Sequence, residues 1–135
     1  MSPPDPSTAP VQRPKVLVIE DEDGIRKFVK RVLEADYDVH LAANGQEGLQ
    51  GAQAIRPDII LLDLRMPVLD GLSVLAQLKA NRQTSAVPVV IVSVQGETDM
   101  LLECQRSGAA DHVIKPFNVE DLRKVVQQQI STRKE

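Results

Sequence analysis

Five short apolar runs alternate with segments of helical periodicity along this chain, and this alternation is the feature that most constrains its fold. The clearest run is Ile59–Leu62, four large aliphatic residues that lead directly into Asp63. A continuous apolar run of this length, followed by turn signals at Pro67 and Asp70-Gly71, is typical of a strand buried on both faces. Asp63 would then lie at the carboxyl end of that strand, where open α/β sheets place their ligand sites.

The same pattern predicts five strand-helix units in strict order. Apolar runs predict strands over residues 15–19, 37–42, 59–63, 87–92 and 110–114. Apolar residues at helical spacing predict helices over about 24–35, 45–55, 72–81, 97–107 and 118–130. Asp23 and Asn118 are expected to cap the first and last helices. The alternation implies an α/β fold, with a parallel sheet, right-handed crossovers and helices on both faces.

Length and composition indicate one domain with a short tail at each end. The 135 residues fit a single domain, and 42% hydrophobic residues with only 2% aromatic ones predict an aliphatic core. Residues 1–14 hold five of the nine prolines and almost no large apolar side chains, so we expect a disordered tail there. The domain is predicted over residues 15–131, and a short C-terminal tail over residues 132–135.

Charge and cysteine content narrow the functional classes. The net charge of −3 and the pI of about 5.4 argue against direct nucleic-acid binding by this domain. No apolar run approaches the roughly 20 residues that span a bilayer, and no secretory signal pattern is recognisable. The single cysteine, Cys104, allows no disulfide within the chain. We therefore expect a cytoplasmic protein that does not interact with membranes.

Polar residues suited to phosphoryl chemistry follow four of the predicted strands. They are Glu20 and Asp21 after the first, Asp63 after the third, Ser93 after the fourth and Lys115 after the fifth. Parallel strands end at one edge of the sheet, so these side chains are expected to converge. Clustered carboxylates repel one another and favour a hard divalent cation. Because these turns contain no histidine or cysteine, Mg²⁺ suits them better than Zn²⁺. An anionic nucleophile together with a metal cation and a lysine suits phosphoryl transfer.

Five motifs in this order and spacing resemble the receiver domain of two-component response regulators. The resemblance covers about residues 15–131. The motifs are Val18-Ile19-Glu20-Asp21-Glu22, Leu62-Asp63-Leu64-Arg65-Met66-Pro67 with Asp70-Gly71, Ser93, Ser107-Gly108-Ala109 and Lys115-Pro116-Phe117. Each motif alone is weak, and the set is specific. The resemblance implies a flavodoxin-like, doubly wound fold with strand order 2-1-3-4-5.

The resemblance also implies roles for the acidic residues. Asp63 would be the phosphoacceptor and would contact the metal, and Asp21 would be a direct Mg²⁺ ligand. Glu20, at a position where aspartate is common, would hold metal-bound water. The backbone carbonyl of Arg65 would be a further metal ligand. Arg65 stands two residues beyond Asp63, at a position that tunes dephosphorylation in this family.

A switch is implied on the other side of the site. Ser93 would be the hydroxyl that closes on the phosphoryl group, and Lys115 its ion-pair partner, followed by a cis peptide bond to Pro116. His112 occupies the switch position three residues before the lysine, where the family usually has an aromatic ring. The alternative for His112 is an ordinary exposed histidine on an edge strand.

The partners implied by the resemblance are proteins. The phosphoryl donor would be a sensor histidine kinase or a phosphotransfer protein. Phosphorylation would switch the surface of the fourth helix, fifth strand and fifth helix, for a downstream protein target or an effector domain. Dimerisation on activation is a further expectation. The domain would be a signalling switch that assists its own phosphorylation and dephosphorylation, rather than an enzyme acting on other molecules.

Two alternatives belong to other functional classes. One is a receiver-like interaction module that works without phosphorylation. The other is a flavin-binding electron carrier of similar fold, which needs a phosphate-binding loop after the first strand. Four acids, Glu20–Asp23, follow that strand here, and their charge would repel phosphate. The chain also has no tryptophan and one tyrosine to stack on a flavin.

Overall fold

The computed structural model describes residues 12–134 as five strands and five helices in strict alternation. All strand pairs are parallel, and the sheet order is β2-β1-β3-β4-β5. The flavodoxin-like architecture is therefore confirmed. In chain order the elements are β1 Lys15–Ile19, α1 Asp23–Leu33, β2 Asp38–Ala42, α2 Gly45–Ile55, β3 Ile59–Asp63, α3 Gly71–Ala80, β4 Val89–Val94, α4 Thr98–Arg106, β5 Asp111–Lys115 and α5 Val119–Lys134.

The core consists of two apolar layers, one on each face of the sheet. Successive side chains of a strand point to opposite faces. Leu17 of β1 therefore belongs to the layer beneath α2, α3 and α4, while Val16 belongs to the layer beneath α1 and α5. The three central strands are almost entirely buried, which explains their uninterrupted apolar sequences. Val74 of α3 and Val126 of α5 are both fully buried, in opposite layers.

Three strands differ from their predicted bounds. β2 begins one residue later than predicted, at Asp38. β4 spans Val89–Val94 rather than residues 87–92, so Ser93 lies inside the strand and not after it. β5 spans Asp111–Lys115, so Lys115 is its last residue. Pro88 has no N–H to donate, and its carbonyl instead accepts a hydrogen bond from the Ile60 amide at 3.0 Å. The later ends follow from the β4–β5 ladder, which continues until Val94 pairs with Lys115.

The two predicted helix caps have different outcomes. Asn118 caps α5, because its Oδ1 accepts a hydrogen bond from the Asp121 amide at 2.8 Å. Asp23 is not the cap of α1: the helix begins at Asp23, and Glu22 occupies the N-cap position without a side-chain cap. Asp23 instead forms ion pairs within the first turns, with Arg26 at 3.0 Å and Lys27 at 2.9 Å.

The predicted domain limits stay predictions. Most of the expected N-terminal tail, residues 1–11, lies outside the described residues, and residues 12–14 have no regular secondary structure. At the other end, α5 continues through Lys134, so residues 132–134 extend the helix.

The chain enters the sheet and leaves α5 at the amino edge, opposite the carboxyl ends of the strands. Gln12, Arg13 and Pro14 line one surface cavity together with Ile130 of α5 and Arg56, which ends α2. Between residues 12 and 134, no helix combines the length and apolar character needed to cross a bilayer.

Candidate functional site

The predicted site residues converge at the carboxyl edge of the sheet. The strand register places Ile19 beside Leu62 and Asp63 beside Val92, so β3 ends one residue beyond β1, and β4 two residues beyond β3. Glu20 and Asp21 follow β1 and face the end of β3. One carboxylate oxygen from each of Glu20, Asp21 and Asp63 lies within 4.8 Å of the others.

Lys115 neutralises part of this charge from the end of β5. Its Nζ lies 2.9 Å from Oε1 of Glu20 and donates a hydrogen bond to Oδ1 of Asp63 at 3.3 Å. Glu20 is 2% exposed and Asp63 6% exposed, whereas Asp21 is exposed. Two buried carboxylates therefore share one ammonium group, which leaves the inner site with an excess of negative charge.

The pKa values of Asp63 and Lys115 reflect this crowding. Burial and, secondarily, the hydrogen bond and charge of Glu20 raise the pKa of Asp63 from 3.8 to about 7, while Lys115 opposes the shift. Burial acts to lower the pKa of Lys115, but hydrogen bonding to Glu20 and the charges of Asp63 and Glu20 raise it overall. Lys115 therefore stays positively charged near neutral pH. The raised pKa of Asp63 indicates that the cluster would bind a further positive charge.

Ser93 supplies a hydroxyl group next to the cluster. Its side chain is 1% exposed, and within residues 12–134 its Oγ has no hydrogen-bond partner. A buried hydroxyl without a partner is costly and uncommon. The observation is consistent with a hydroxyl that acquires its partner when a group is bound at Asp63.

Arg26 supports the acidic loop after β1, and sequence analysis missed this role. One guanidinium nitrogen of Arg26 donates to the backbone carbonyls of Glu20 at 2.8 Å and Asp21 at 2.9 Å. The side chain of Glu20 also accepts a hydrogen bond from the Glu22 amide at 3.2 Å. Arg26 lies on α1 five residues after Asp21, and this spacing is no recognised signal for a loop-supporting contact.

Arg65 makes a contact that the sequence did not predict. Only its backbone carbonyl was proposed as a ligand, but its side-chain Nε lies 3.0 Å from Oε2 of Glu97. Glu97 is the N-cap residue of α4 and is 7% exposed. Sequence analysis did not single out Glu97, and the only signal available was an acidic residue at the start of a predicted helix.

Gly71 fixes the distance between α3 and the end of β3. Its amide donates to the carbonyl of Leu64 at 2.9 Å. A Cβ atom at this position would lie 2.5 Å from the backbone oxygen of Asp63 and 2.7 Å from Cα of Leu64. The Asp70-Gly71 motif therefore has a packing role directly behind the candidate phosphoacceptor.

His112 does not join the cluster. It lies opposite Ile91 in the ladder on the edge strand β5, and its side chain is exposed. Its assignment as a switch residue stays a prediction. The peptide bond between Lys115 and Pro116 is cis, as the resemblance implied.

The donor atoms of the cluster fit a hard divalent cation. Glu20, Asp21 and Asp63 offer only oxygen, and their ligand atoms are close enough to share one ion. Carboxylate oxygens without imidazole or thiolate favour Mg²⁺ over Zn²⁺. The excess negative charge and the high pKa of Asp63 fit the same ion.

Comparison with known proteins establishes the family of this chain. The family described as the response regulator receiver domain matches residues 16–127. The chain therefore belongs to the response regulator receiver family, whose members are phosphoaccepting switches of two-component signalling.

Three similar proteins illustrate the match. Sporulation initiation phosphotransferase F of Bacillus subtilis is 34% identical over 113 residues, which are 83% of this chain and 90% of that protein. Regulatory protein AtoC of Escherichia coli is 32% identical over 114 residues, 84% of this chain but only 24% of that protein. The crystallised chemotaxis protein CheY4 of Vibrio cholerae is 33% identical, with a TM-score of 0.82 over 86% of this chain and 98% of that one.

Proposed function

We propose that this chain accepts a phosphoryl group on Asp63 in a Mg²⁺-dependent reaction and thereby switches a surface that binds a protein partner. The observation that carries the proposal is the position of Asp63. Its carboxylate lies at the end of a buried strand, 3.3 Å from Lys115 and within 4.8 Å of the oxygens of Glu20 and Asp21. Membership of the receiver family supports the same role.

In the proposed transfer, a carboxylate oxygen of Asp63 attacks the phosphorus atom of a phosphohistidine on a sensor kinase or phosphotransfer protein. A P–O bond forms while the P–N bond breaks, and the imidazole nitrogen keeps the electron pair and takes up a proton. Lys115 stabilises the negative charge on the phosphoryl oxygens. Ser93 donates its free hydroxyl to one of these oxygens.

The metal site in this proposal consists of the carboxylates of Asp21 and Asp63, with Glu20 acting through bound water and the backbone carbonyl of Arg65 as a further ligand. Bound Mg²⁺ would supply charge neutralisation for the transferring group. It would also favour the ionised, nucleophilic form of Asp63, whose pKa is raised to about 7 in the metal-free protein.

The proposed output surface consists of α4, β5 and α5. Exposed apolar side chains lie on this side, including Leu102 on α4 and Ile114 on β5, beside the exposed His112. Ser93 and Lys115 connect this surface to Asp63, because they lie in the adjacent strands β4 and β5. Phosphorylation would shift the population between two states, and a downstream protein, an effector domain or a second copy of the chain would bind one of them better.

The direct test is incubation with Mg²⁺ and acetyl phosphate, followed by intact mass measurement. We expect one phosphoryl adduct on the wild type and none on Asp63→Asn, with loss of the reaction in EDTA. Asp36→Asn, which removes an exposed carboxylate outside the site, should label like the wild type. Equal labelling of Asp63→Asn would disprove the assignment.

A wild type that gains no adduct is tested further with beryllofluoride. If it binds beryllofluoride, acceptance of a phosphoryl group requires a cognate kinase. Failure to bind favours a module that works without phosphorylation.

The role of Lys115 is tested by Lys115→Ala. We expect this variant to accept some phosphoryl groups, because the acidic cluster is intact, but not to transmit the change to the output surface. Amide NMR spectra before and after activation measure that change. Wild-type-like shifts on α4, β5 and α5 in the variant would contradict the proposed role.

A further inference from the structure

One residue of α1 contacts the whole acidic loop that follows β1. The backbone carbonyls of Glu20, Asp21 and Glu22 all accept hydrogen bonds from Arg26. One guanidinium nitrogen donates to the first two carbonyls, at 2.8 and 2.9 Å, and the Arg26 amide donates to the third at 3.0 Å, as the first hydrogen bond of the helix. Hydrogen bonds from a charged donor are stronger than those between neutral groups. Arg26 therefore sets the path of the backbone from β1 into α1.

The guanidinium group of Arg26 is itself held in place. Its second terminal nitrogen donates to Oδ1 of Asp23 at 3.0 Å. The Arg26 side chain is only 15% exposed, whereas that of Lys27, the next residue of the same turn, is 72% exposed. A planar guanidinium group with partners on two nitrogens has a defined orientation. Arg26 is thus a fixed support for the loop rather than a mobile surface cation.

The carboxylate of Asp21 depends on this support more than that of Glu20 does. The Glu20 side chain has its own partners, because its Oε1 pairs with Lys115 at 2.9 Å and its Oε2 accepts from the Glu22 amide. The Asp21 side chain is exposed and forms no ion pair among residues 12–134, although one of its oxygens lies within 4.8 Å of the nearest oxygens of Glu20 and Asp63. Its position in the cluster is therefore set through its backbone.

We propose that Arg26 is a positioning residue for the Mg²⁺ site, which holds Asp21 where its carboxylate can share an ion with Asp63. The inference rests on the proposed function, in which these two carboxylates are metal ligands. Arg26 acts through the backbone of the loop and does not touch the reacting atoms. Groups that orient metal ligands in this way affect metal affinity although they do not bind the ion.

The charge of Arg26 and its positioning role have opposite effects on metal affinity. A cation beside an acidic cluster repels Mg²⁺, so removal of the charge alone would strengthen Mg²⁺ binding. Loss of the contacts with the loop carbonyls would instead let the Asp21 carboxylate leave the cluster. We therefore expect Arg26→Met, which keeps the alkyl stem, to bind Mg²⁺ about tenfold more weakly than the wild type.

The test is a Mg²⁺ titration of the wild type, Arg26→Met, Arg26→Lys and Lys27→Met, measured by the amide NMR shifts of residues 20–23 and 63–65. Arg26→Lys keeps the charge but offers one nitrogen in place of two, and it should also bind Mg²⁺ more weakly than the wild type. Lys27→Met is the matched control. It removes a cation that pairs with Asp23 rather than with the loop backbone, so it should bind Mg²⁺ at least as tightly as the wild type.

A second measurement needs no metal. The amides of Glu20 and Glu22 are hydrogen-bonded, to the Ala42 carbonyl and to the Glu20 carboxylate respectively. In the metal-free protein we expect their hydrogen exchange to be about tenfold faster in Arg26→Met than in the wild type, because the loop loses two charge-assisted hydrogen bonds. Lys27→Met should leave this exchange unchanged.

Wild-type Mg²⁺ affinity in Arg26→Met would overturn the inference, even if that variant is less stable to urea, because the role of Arg26 would then be merely structural. Wild-type affinity in Arg26→Lys would also overturn it, since charge alone would suffice, and this variant decides the question if Arg26→Met does not fold. A wild type that binds no Mg²⁺ refutes the metal site itself. A wild type that binds Mg²⁺ but accepts no phosphoryl group refutes the proposed phosphorylation, and the titration still decides the role of Arg26.

Discussion

At the scale of single residues, the site is defined by an imbalance of charge. Glu20 and Asp63 are both buried, and Lys115 is the only cation among residues 12–134 that forms an ion pair with their carboxylates. Burial of an incompletely compensated carboxylate costs free energy, and the cost appears as the raised pKa of Asp63. The metal-free fold is thus destabilised at the position that we assign to phosphorylation.

The first prediction concerns the pH dependence of this cost. The folded-state pKa of about 7 exceeds the unfolded value of 3.8, so between these values the folded protein binds a proton that the unfolded chain has released. The ionisation of Asp63 therefore lowers the free energy of unfolding progressively as the pH rises from about 4 to 7, and causes no further change above pH 7. We expect Asp63→Asn to be about 2 kcal/mol more stable than the wild type at pH 8 and nearly equal to it at pH 4.

Urea unfolding in EDTA at the two pH values measures this difference. Asp36→Asn, an exposed substitution outside the site, controls for the general effect of removing a carboxylate. An advantage of Asp63→Asn that is the same at pH 4 and pH 8 would show that the ionisation of Asp63 is not its source.

The members of the site could be predicted from the sequence, but several of their contacts could not. Glu20, Asp63 and Lys115 lie at strand ends, and a parallel sheet brings such ends to one edge whatever the details of packing. The contacts of Arg26 and Glu97 depend on how side chains cross between loops, and hydrophobic periodicity carries no information on that. The exposed orientation of His112 likewise depends on packing at the sheet edge.

At the scale of elements, the prediction was most accurate where burial is complete. β1 and β3 have the predicted bounds, because an apolar run buried on both faces ends abruptly at its first polar residue. β4 and β5 are shifted by one or two residues, because their ends depend on pairing with each other and on Pro88 rather than on their own polarity. α1 begins earlier than the apolar pattern indicates, since polar first turns carry no hydrophobic signal.

The second prediction concerns the contact between α3 and β3. Gly71→Ala would place a Cβ atom 2.5 Å from the backbone oxygen of Asp63, and backbone cannot move aside as a side chain can. We expect a loss of about 3 kcal/mol in the free energy of unfolding. Gly24→Ala is the matched control, because no atom lies within 4 Å of a Cβ there, and it should gain about 0.5 kcal/mol in helix α1. Similar urea midpoints for the two variants would contradict this account.

At the scale of the whole molecule, the sheet separates two apolar layers. Helices α2, α3 and α4 cover one face, and α1 and α5 cover the other. The layers share the backbone of the sheet but not their side chains. Rigid strands between them limit how far a change in one layer can alter the other.

The third prediction is that core substitutions in opposite layers have independent effects. Val74→Ala and Val126→Ala each remove two methyl groups from a fully buried position, and each should cost about 2 kcal/mol. The double variant should lose the sum of the two within about 0.5 kcal/mol. Urea unfolding of the four proteins measures the coupling, and a coupling well above that value would mean that the sheet transmits strain between its faces.

The arrangement of the chain at the amino edge has a consequence for how this domain can be attached to other proteins. Residues 12–14 and Ile130, near the end of α5, line the same cavity, at the opposite edge of the sheet from Asp63. A fluorescent reporter, a surface tether or a neighbouring domain fused at either position would therefore leave the side that carries Asp63 accessible to a docking protein. A matching segment makes up most of one small relative and about a quarter of a much longer one. The geometry of the amino edge is compatible with both arrangements.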